Sequence, residues 1–233
     1  MEKEPGERRA VEIIGKTSEV LQQMKIVETY SHLNGEEYLI AKQPDIYQEI
    51  KDVISQVDAS RSMTKKSKEK TMKGKKLYSP KSLNKKFDVL FNRNGWLESR
   101  YRYYVTSNRN YVEQIISLPL KDQRLFLIEK GVSDPIQSYK QTDFVKNRVA
   151  VEVQFGKYAF VAYDLFVKHL LFYSGNIINV GVEILPVKAM SKDPLGGRLL
   201  STGIAYYEGE VYNIMRHGRS SPPVPLLIIG ITA

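Results

Sequence analysis

The chain of 233 residues carries 35 Lys and Arg against 26 Asp and Glu, a formal net charge of +9, with 42% hydrophobic positions and no cysteine. That profile is globular, and it excludes disulfides, thiolate catalysis and cysteine-built zinc sites; with His32, His169 and His217 far apart, any metal would be a hard ion on carboxylate oxygens. No apolar run is long enough to cross a membrane and the first residues are charged rather than signal-like, so a soluble, cytoplasmic protein is expected.

Residues 1–23 read as an N-terminal extension with a marginal peripheral helix over Arg8–Gln23, and Met24 is a candidate natural start. A single domain is then expected over 24–233. It opens with a strand at Met24–Tyr30, and Pro44 begins a helix carrying Ile46, Ile50, Val53, Ile54 and Val57 at helical spacing. The charge is concentrated next. Between Arg61 and Lys86 lie eleven basic residues and one acid, Glu69, leaving twenty-four basic and twenty-five acidic residues elsewhere. Such a segment suits a polyanion, through release of condensed counterions, although a solvated lysine loop has the same composition.

Ser79-Pro80 supplies a cap and a first-turn proline for a second helix, which Asn94-Gly95 stops. An aromatic strand at Trp96–Thr106 follows, then helices at Tyr111–Leu118 and Leu120–Lys130, the latter closed by Gly131. Asp143–Lys146 and Arg148–Phe155 read as strands joined by a tight turn at Lys146-Asn147. Tyr158–Tyr173 is an apolar helix with Val161, Leu165 and Phe172 on one side and Phe160, Val167 and Leu171 on another, so part of it is expected at a dimer interface. Val180–Leu185, Tyr206–Arg216 and Leu226–Ile231 complete the pattern as strand, helix and strand. The fold class is α/β, a central mixed sheet flanked by helices.

The candidate chemistry lies in Gln141–Phe155. Val149, Val151, Val153 and Phe155 alternate with residues that include Glu152 and Gln154, so the two polar side chains share one strand face. A hairpin at the short turn brings Asp143 beside Glu152. Two carboxylates and the Val153 carbonyl then offer oxygen ligands to Mg2+, enough for metal-assisted phosphodiester hydrolysis. The spacing alone also fits plain amphipathic alternation with solvent-facing acids. Ser138 and Gln141 are further candidates by proximity. Lys157 stands after the corner at Gly156, and Arg216 and Arg219 stand on a turn beside Pro222-Pro223 as a phosphate clamp.

This segment resembles the active site of the PD-(D/E)XK nucleases, in the variant form of the BglII and BstYI restriction endonucleases where glutamine replaces the final lysine. The likeness, fullest to BstYI, extends to Met24–Gly35, Lys66–Thr71, Leu77–Pro80, Gln141–Lys157, Phe160–His169, Val180–Pro186 and Tyr206–Glu210. It implies a type II restriction endonuclease: a Mg2+-dependent homodimer that cuts double-stranded DNA at a GATC-core palindrome (RGATCY or AGATCT), leaves 5′ GATC overhangs and works beside a cognate DNA methyltransferase. It makes Asp143 and Glu152 the metal ligands and Gln154 the third catalytic position. Lys157, Ser201 and Thr202 become DNA-reading residues, the last two at the outer base pair. Thr142 departs from the motif's proline, which is expected to alter local backbone shape. The alternatives are a non-cleaving DNA-binding protein or a repair nuclease on the same fold; lysines and tyrosines alone would also suit an RNA-binding module.

Overall fold

Three strands of this chain have almost no polar residue to turn toward water, and they lie at the centre of the sheet. In the computed structural model, which describes residues 22–194 and 196–233, β6 (Val149–Val153), β7 (Val180–Pro186) and β8 (Leu226–Thr232) are buried along nearly their whole length. They run parallel, and parallel strands need cover on both faces. On one side β1 (Lys25–His32) pairs antiparallel with β8. On the other, β5 (Ile136–Lys146) pairs antiparallel with β6, and β4 (Leu97–Val105) with β5. The order is β1-β8-β7-β6-β5-β4, the mixed sheet that the sequence pattern implies.

One face is closed by α2 (Pro44–Gln56) and α3 (Pro80–Arg93). The Ser79 hydroxyl accepts the Ser82 N–H at the start of α3, as its cap role requires, and Gly95 leaves the helix at φ +79°. Phe91 of α3 stacks on Phe144 of β5 with ring centres 4.7 Å apart, and Phe87 tilts against Phe155 at 6.1 Å. The other face is closed by the segment that follows β6: α6 (Tyr158–Tyr163), a π-helical turn (Asp164–Lys168) and α7 (His169–Ser174). Small residues let this helix lie close. Ala150 stands opposite Gly181, and a Cβ at Gly181 would meet the His169 imidazole at 2.5 Å.

Several elements differ from the sequence expectation. β5 begins at Ile136, seven residues before Asp143, because β4 pairs with that polar stretch and supplies the order that its own pattern lacks. The β5–β6 turn sits at Asn147-Arg148, both at positive φ, one residue beyond the expected place. The helix over 158–174 is interrupted by the π turn. A short helix, α1 (Gly35–Lys42), was not foreseen; α4 (Arg109–Ile115) and α5 (Leu120–Glu129) were. The basic segment is structured: two short strands, β2 (Lys65–Lys66) and β3 (Lys76–Leu77), form a ribbon with two 3-10 turns. The α8 helix (Tyr207–His217) lies where expected. The marginal helix expected over 8–23 falls almost wholly outside the described residues.

Candidate active site

The hairpin sets the site. Phe144 pairs with Val151 across β5 and β6, and the same register brings Asp143 beside Glu152. Asp143 is exposed, Glu152 only 3% so, because β6 is covered on both faces. Both line a cleft of about 450 Å³ together with Gln141, Gln154, Asp164 and Lys168. The sequence-derived set Asp143, Glu152 and Gln154 is therefore brought together.

Glu152 has two close partners. The Thr142 hydroxyl donates to its Oε1 at 2.6 Å, and the Lys168 ammonium reaches the same oxygen at 2.6 Å. Thr142 thus acts through its side chain, where mainly an effect on backbone shape is expected from the sequence. Lys168 also pairs with Asp164 at 2.9 Å, one helical turn back. Gln154 extends the network weakly: its amide N–H donates to Asp164 Oδ2 at 3.4 Å, while its Oε1 accepts the Gly156 N–H at 2.8 Å. Gly156 has to be glycine for this, since a Cβ there would stand 2.3 Å from Gln154 Oε1.

The charges of the cleft oppose one another. Burial pushes Glu152 up to about 7; Lys168 pulls it down, and the neighbouring Asp143 and Asp164 raise it further. Asp164 is raised by burial too, against the pull of Lys168. Lys168 ends well above the ordinary lysine range: burial works against its charge, but Glu152 and Asp164 outweigh burial. Three carboxylates (Asp143, Glu152 and Asp164) line the cleft against two lysines, Lys140 and Lys168, of which Lys168 is paired with Glu152 and Asp164, and a carboxylate that would rather bind a proton than stay ionised is one that a divalent cation would relieve. Among the described residues no group of three or more His, Asp or Glu closes around a single point. Mg2+, which keeps waters and uses one or two carboxylates, fits this donor set.

Beneath the cleft lies a second polar layer. Glu183 stands opposite Glu152 on β7, and its carboxyl lies 3.3 Å from His169 Nε2. Burial pushes Glu183 well up and His169 down to about 3, so the imidazole is neutral and the contact is a hydrogen bond rather than an ion pair.

Of the other expected residues, Gln141 lines the cleft and is held by Glu98 and Arg100, whereas Ser138 pairs with Tyr103 on β4 and is not among the lining residues. Val153 borders, with Asp143, an adjoining cavity on the α3 side. Lys157 is exposed at the start of α6 and bridges to Ile204. Ser201 and Thr202 lie in the loop before it, bound by Lys65 and Glu69. Arg216 stacks over Tyr212 at the end of α8 and Arg219 is exposed beyond it; neither lines the cleft. Asp164 and Lys168 were missed. The signal was present as an acid and a base four residues apart in a helix otherwise apolar on most sides, where charges must pair.

The sequence pattern of the family described as restriction endonuclease BglII/BglIII matches residues 27–231. Among solved structures, restriction endonuclease BglII complexed with a DNA 16-mer aligns at a TM-score of 0.58 and 16% identity, covering 91% of this chain and 77% of that one. Free BglII aligns at 0.50 and 16% identity, covering 90% and 79%. No curated protein sequence matches the chain.

Proposed function

The chain belongs to the restriction endonuclease BglII/BglIII family and is a type II restriction endonuclease; from this we propose that it is a Mg2+-dependent homodimer that cuts duplex DNA at a GATC-core palindrome and leaves 5′ GATC overhangs. The observation that carries the reading is the convergence of Asp143, Glu152 and Gln154 on one cleft with surplus negative charge. The BglII relative is solved on a DNA 16-mer, and the basic segment gives this chain a surface for phosphates. Resemblance of the Ser201-Thr202 loop to BstYI favours the degenerate site RGATCY over AGATCT.

Asp143, Glu152 and the Val153 carbonyl would hold the ion. When bound, magnesium supplies Lewis acidity toward the scissile phosphate and its attacking water. The chain does the rest by placement. Thr142 fixes the Glu152 carboxylate through its 2.6 Å hydrogen bond. Gln154 has neither a charge nor a basic atom, so it orients and does not take a proton. Lys168, held between two carboxylates, is a fixed positive charge of the cleft. Lys157, Ser201 and Thr202 would contact base edges, and Arg216 and Arg219 the backbone. A palindromic site is matched by a two-fold dimer. The outer side of the 158–174 helix, where Phe160 and Val167 remain partly exposed while Val161 and Leu165 are buried, is the surface we assign to it. A methyltransferase acting on the same site protects host DNA in the cytoplasm.

The test is digestion of unmethylated phage DNA by purified protein with magnesium, with Asp143→Ala as control and sequencing of the ends. Discrete fragments with GATC overhangs, lost in the variant, are expected. Tight duplex binding without cleavage would overturn the nuclease reading, and degradation without a fixed sequence would overturn the site-specific one.

A further inference from the structure

The basic segment holds one acid, Glu69, among eleven bases. A carboxylate on a surface built for phosphate weakens that surface, so its place calls for a specific partner. It has one: the Thr202 N–H donates to Glu69 Oε1 at 2.9 Å, across 133 residues of sequence. This bond, more than any other influence, holds the Glu69 carboxyl below its ordinary range.

The bond is part of a seam. The Lys65 ammonium donates to the Ser201 hydroxyl at 2.6 Å, and Lys75 pairs with Asp193 at 2.8 Å and donates to the Gly196 carbonyl at 3.0 Å. The Tyr78 N–H donates to the Leu199 carbonyl at 2.8 Å. The loop so held is glycine-rich, with Gly196, Gly197 and Gly203 all at positive φ, and without these bonds it would sample many conformations. Its far end is sewn to the corner behind the catalytic strand, where Ala205 N–H donates to the Gly156 carbonyl at 3.1 Å and Ile204 bridges to Lys157. Gly156 in turn holds the Gln154 side chain. One hydrogen-bonded path therefore runs from the basic segment through this loop to the active-site strand.

We propose that Glu69 is a positioning residue for sequence discrimination: by accepting the Thr202 N–H it fixes Ser201 and Thr202 in the one arrangement that reads the outer base pair. The proposal rests on the reading above, in which those two residues face that pair. Glu69 itself touches no DNA. Lysines around it draw the backbone in, and the latch turns that docking into a fixed loop geometry beside Lys157.

The experiment compares wild type, Glu69→Ala and Glu69→Gln on four duplexes that share the GATC core and differ only in the outer base pair. Relative kcat/KM is measured with magnesium and competition binding with calcium in its place. Glu69→Ala is expected to lose about tenfold or more of its outer-pair discrimination, as one bidentate-scale interaction is worth. Glu69→Gln, whose amide oxygen still accepts the Thr202 N–H, should keep most of it. A parallel drop on all four duplexes would mark a merely structural residue and overturn the proposal, as would unchanged ratios in Glu69→Ala. If the wild type binds selectively without cutting, the nuclease reading fails, while the binding ratios still decide the latch.

Discussion

Replacing Lys168 by methionine keeps an unbranched side chain only one atom shorter and removes the ammonium that reaches Glu152 at 2.6 Å and Asp164 at 2.9 Å. Breaking a buried ion pair by removing one partner usually costs about 3–5 kcal/mol. Here the cost depends on pH, because the stranded acids can take up protons. Burial, with Lys168 opposing and Asp143 and Asp164 adding, already pushes Glu152 up to about 7 from 4.5. An acid raised in the folded state costs nothing below its unfolded pKa; the penalty grows as pH rises and levels off above the folded pKa. Wild type therefore stops losing stability on Glu152's account above about pH 7, whereas the variant, its folded pKa higher still, continues to lose it. Near pH 7 Glu152 is about half protonated and the extra loss is on the order of half a kcal/mol. Near pH 8.5 it reaches roughly 2 kcal/mol, at about 1.4 kcal/mol for each pKa unit. Asp164, also raised and also losing Lys168, adds in the same direction. The charge of Lys168 itself is constant over this range, since its own pKa is raised. At roughly 2–4 °C per kcal/mol for a chain of this size, the variant should melt about 4–8 °C below wild type near pH 8.5, and far less below it near pH 6. Thermal melts in metal-free buffer at three pH values measure this. A deficit equal at all three, or largest in acid, refutes Lys168 as the counter-charge of Glu152.

Thr142→Val should destabilise the protein by about 1–2 kcal/mol in urea titration, through loss of the donor to buried Glu152, while Thr142→Ser stays near wild type. Gly181→Ala should cost about 3 kcal/mol in the same assay, since its Cβ would sit 2.5 Å from the His169 ring with a strand on one side and a helix on the other; a loss below half a kcal/mol would mean that the helix moves freely. Changing the exposed Lys66, Lys68, Lys70 and Lys73 together to glutamine should flatten the salt dependence of duplex binding by about 0.9 in slope for each phosphate no longer neutralised, with outer-pair discrimination kept because Lys65, Glu69 and Lys75 remain.

The parts legible in the sequence were those governed by neighbouring residues. Ser79-Pro80 and Asn94-Gly95 bracket α3 because capping is local chemistry, and the alternation from Val149 marks β6 because the period of a strand is local geometry. What covers the other face of β6 is not local. Glu152 and Gln154 read as a polar face, yet Glu152 is buried beneath a helix that begins only six residues later. The first half of β5 was invisible for the same reason: Ile136–Gln141 has no apolar alternation, and its order comes from β4. The role of Glu69 lay further from reach, since its partner is 133 residues away and no spacing rule links a lysine-rich ribbon to a glycine-rich loop.

The two buried glutamates of the central strands show why the site lies where it does. Glu152 and Glu183 stand opposite each other on β6 and β7, on the same face, both deeply buried. Glu183 is paired with an imidazole that burial keeps neutral, and burial pushes its own carboxyl well up. Glu152 differs through its contact with Lys168 and its place on the wall of the cleft, which together keep it near the balance between ionised and neutral. Glu152 lines the cleft, whereas Glu183, a strand further in, does not. The helix that follows β6 therefore does more than cover the sheet. It places an ammonium against Glu152 and an imidazole against Glu183, so two glutamates at matching positions meet different partners.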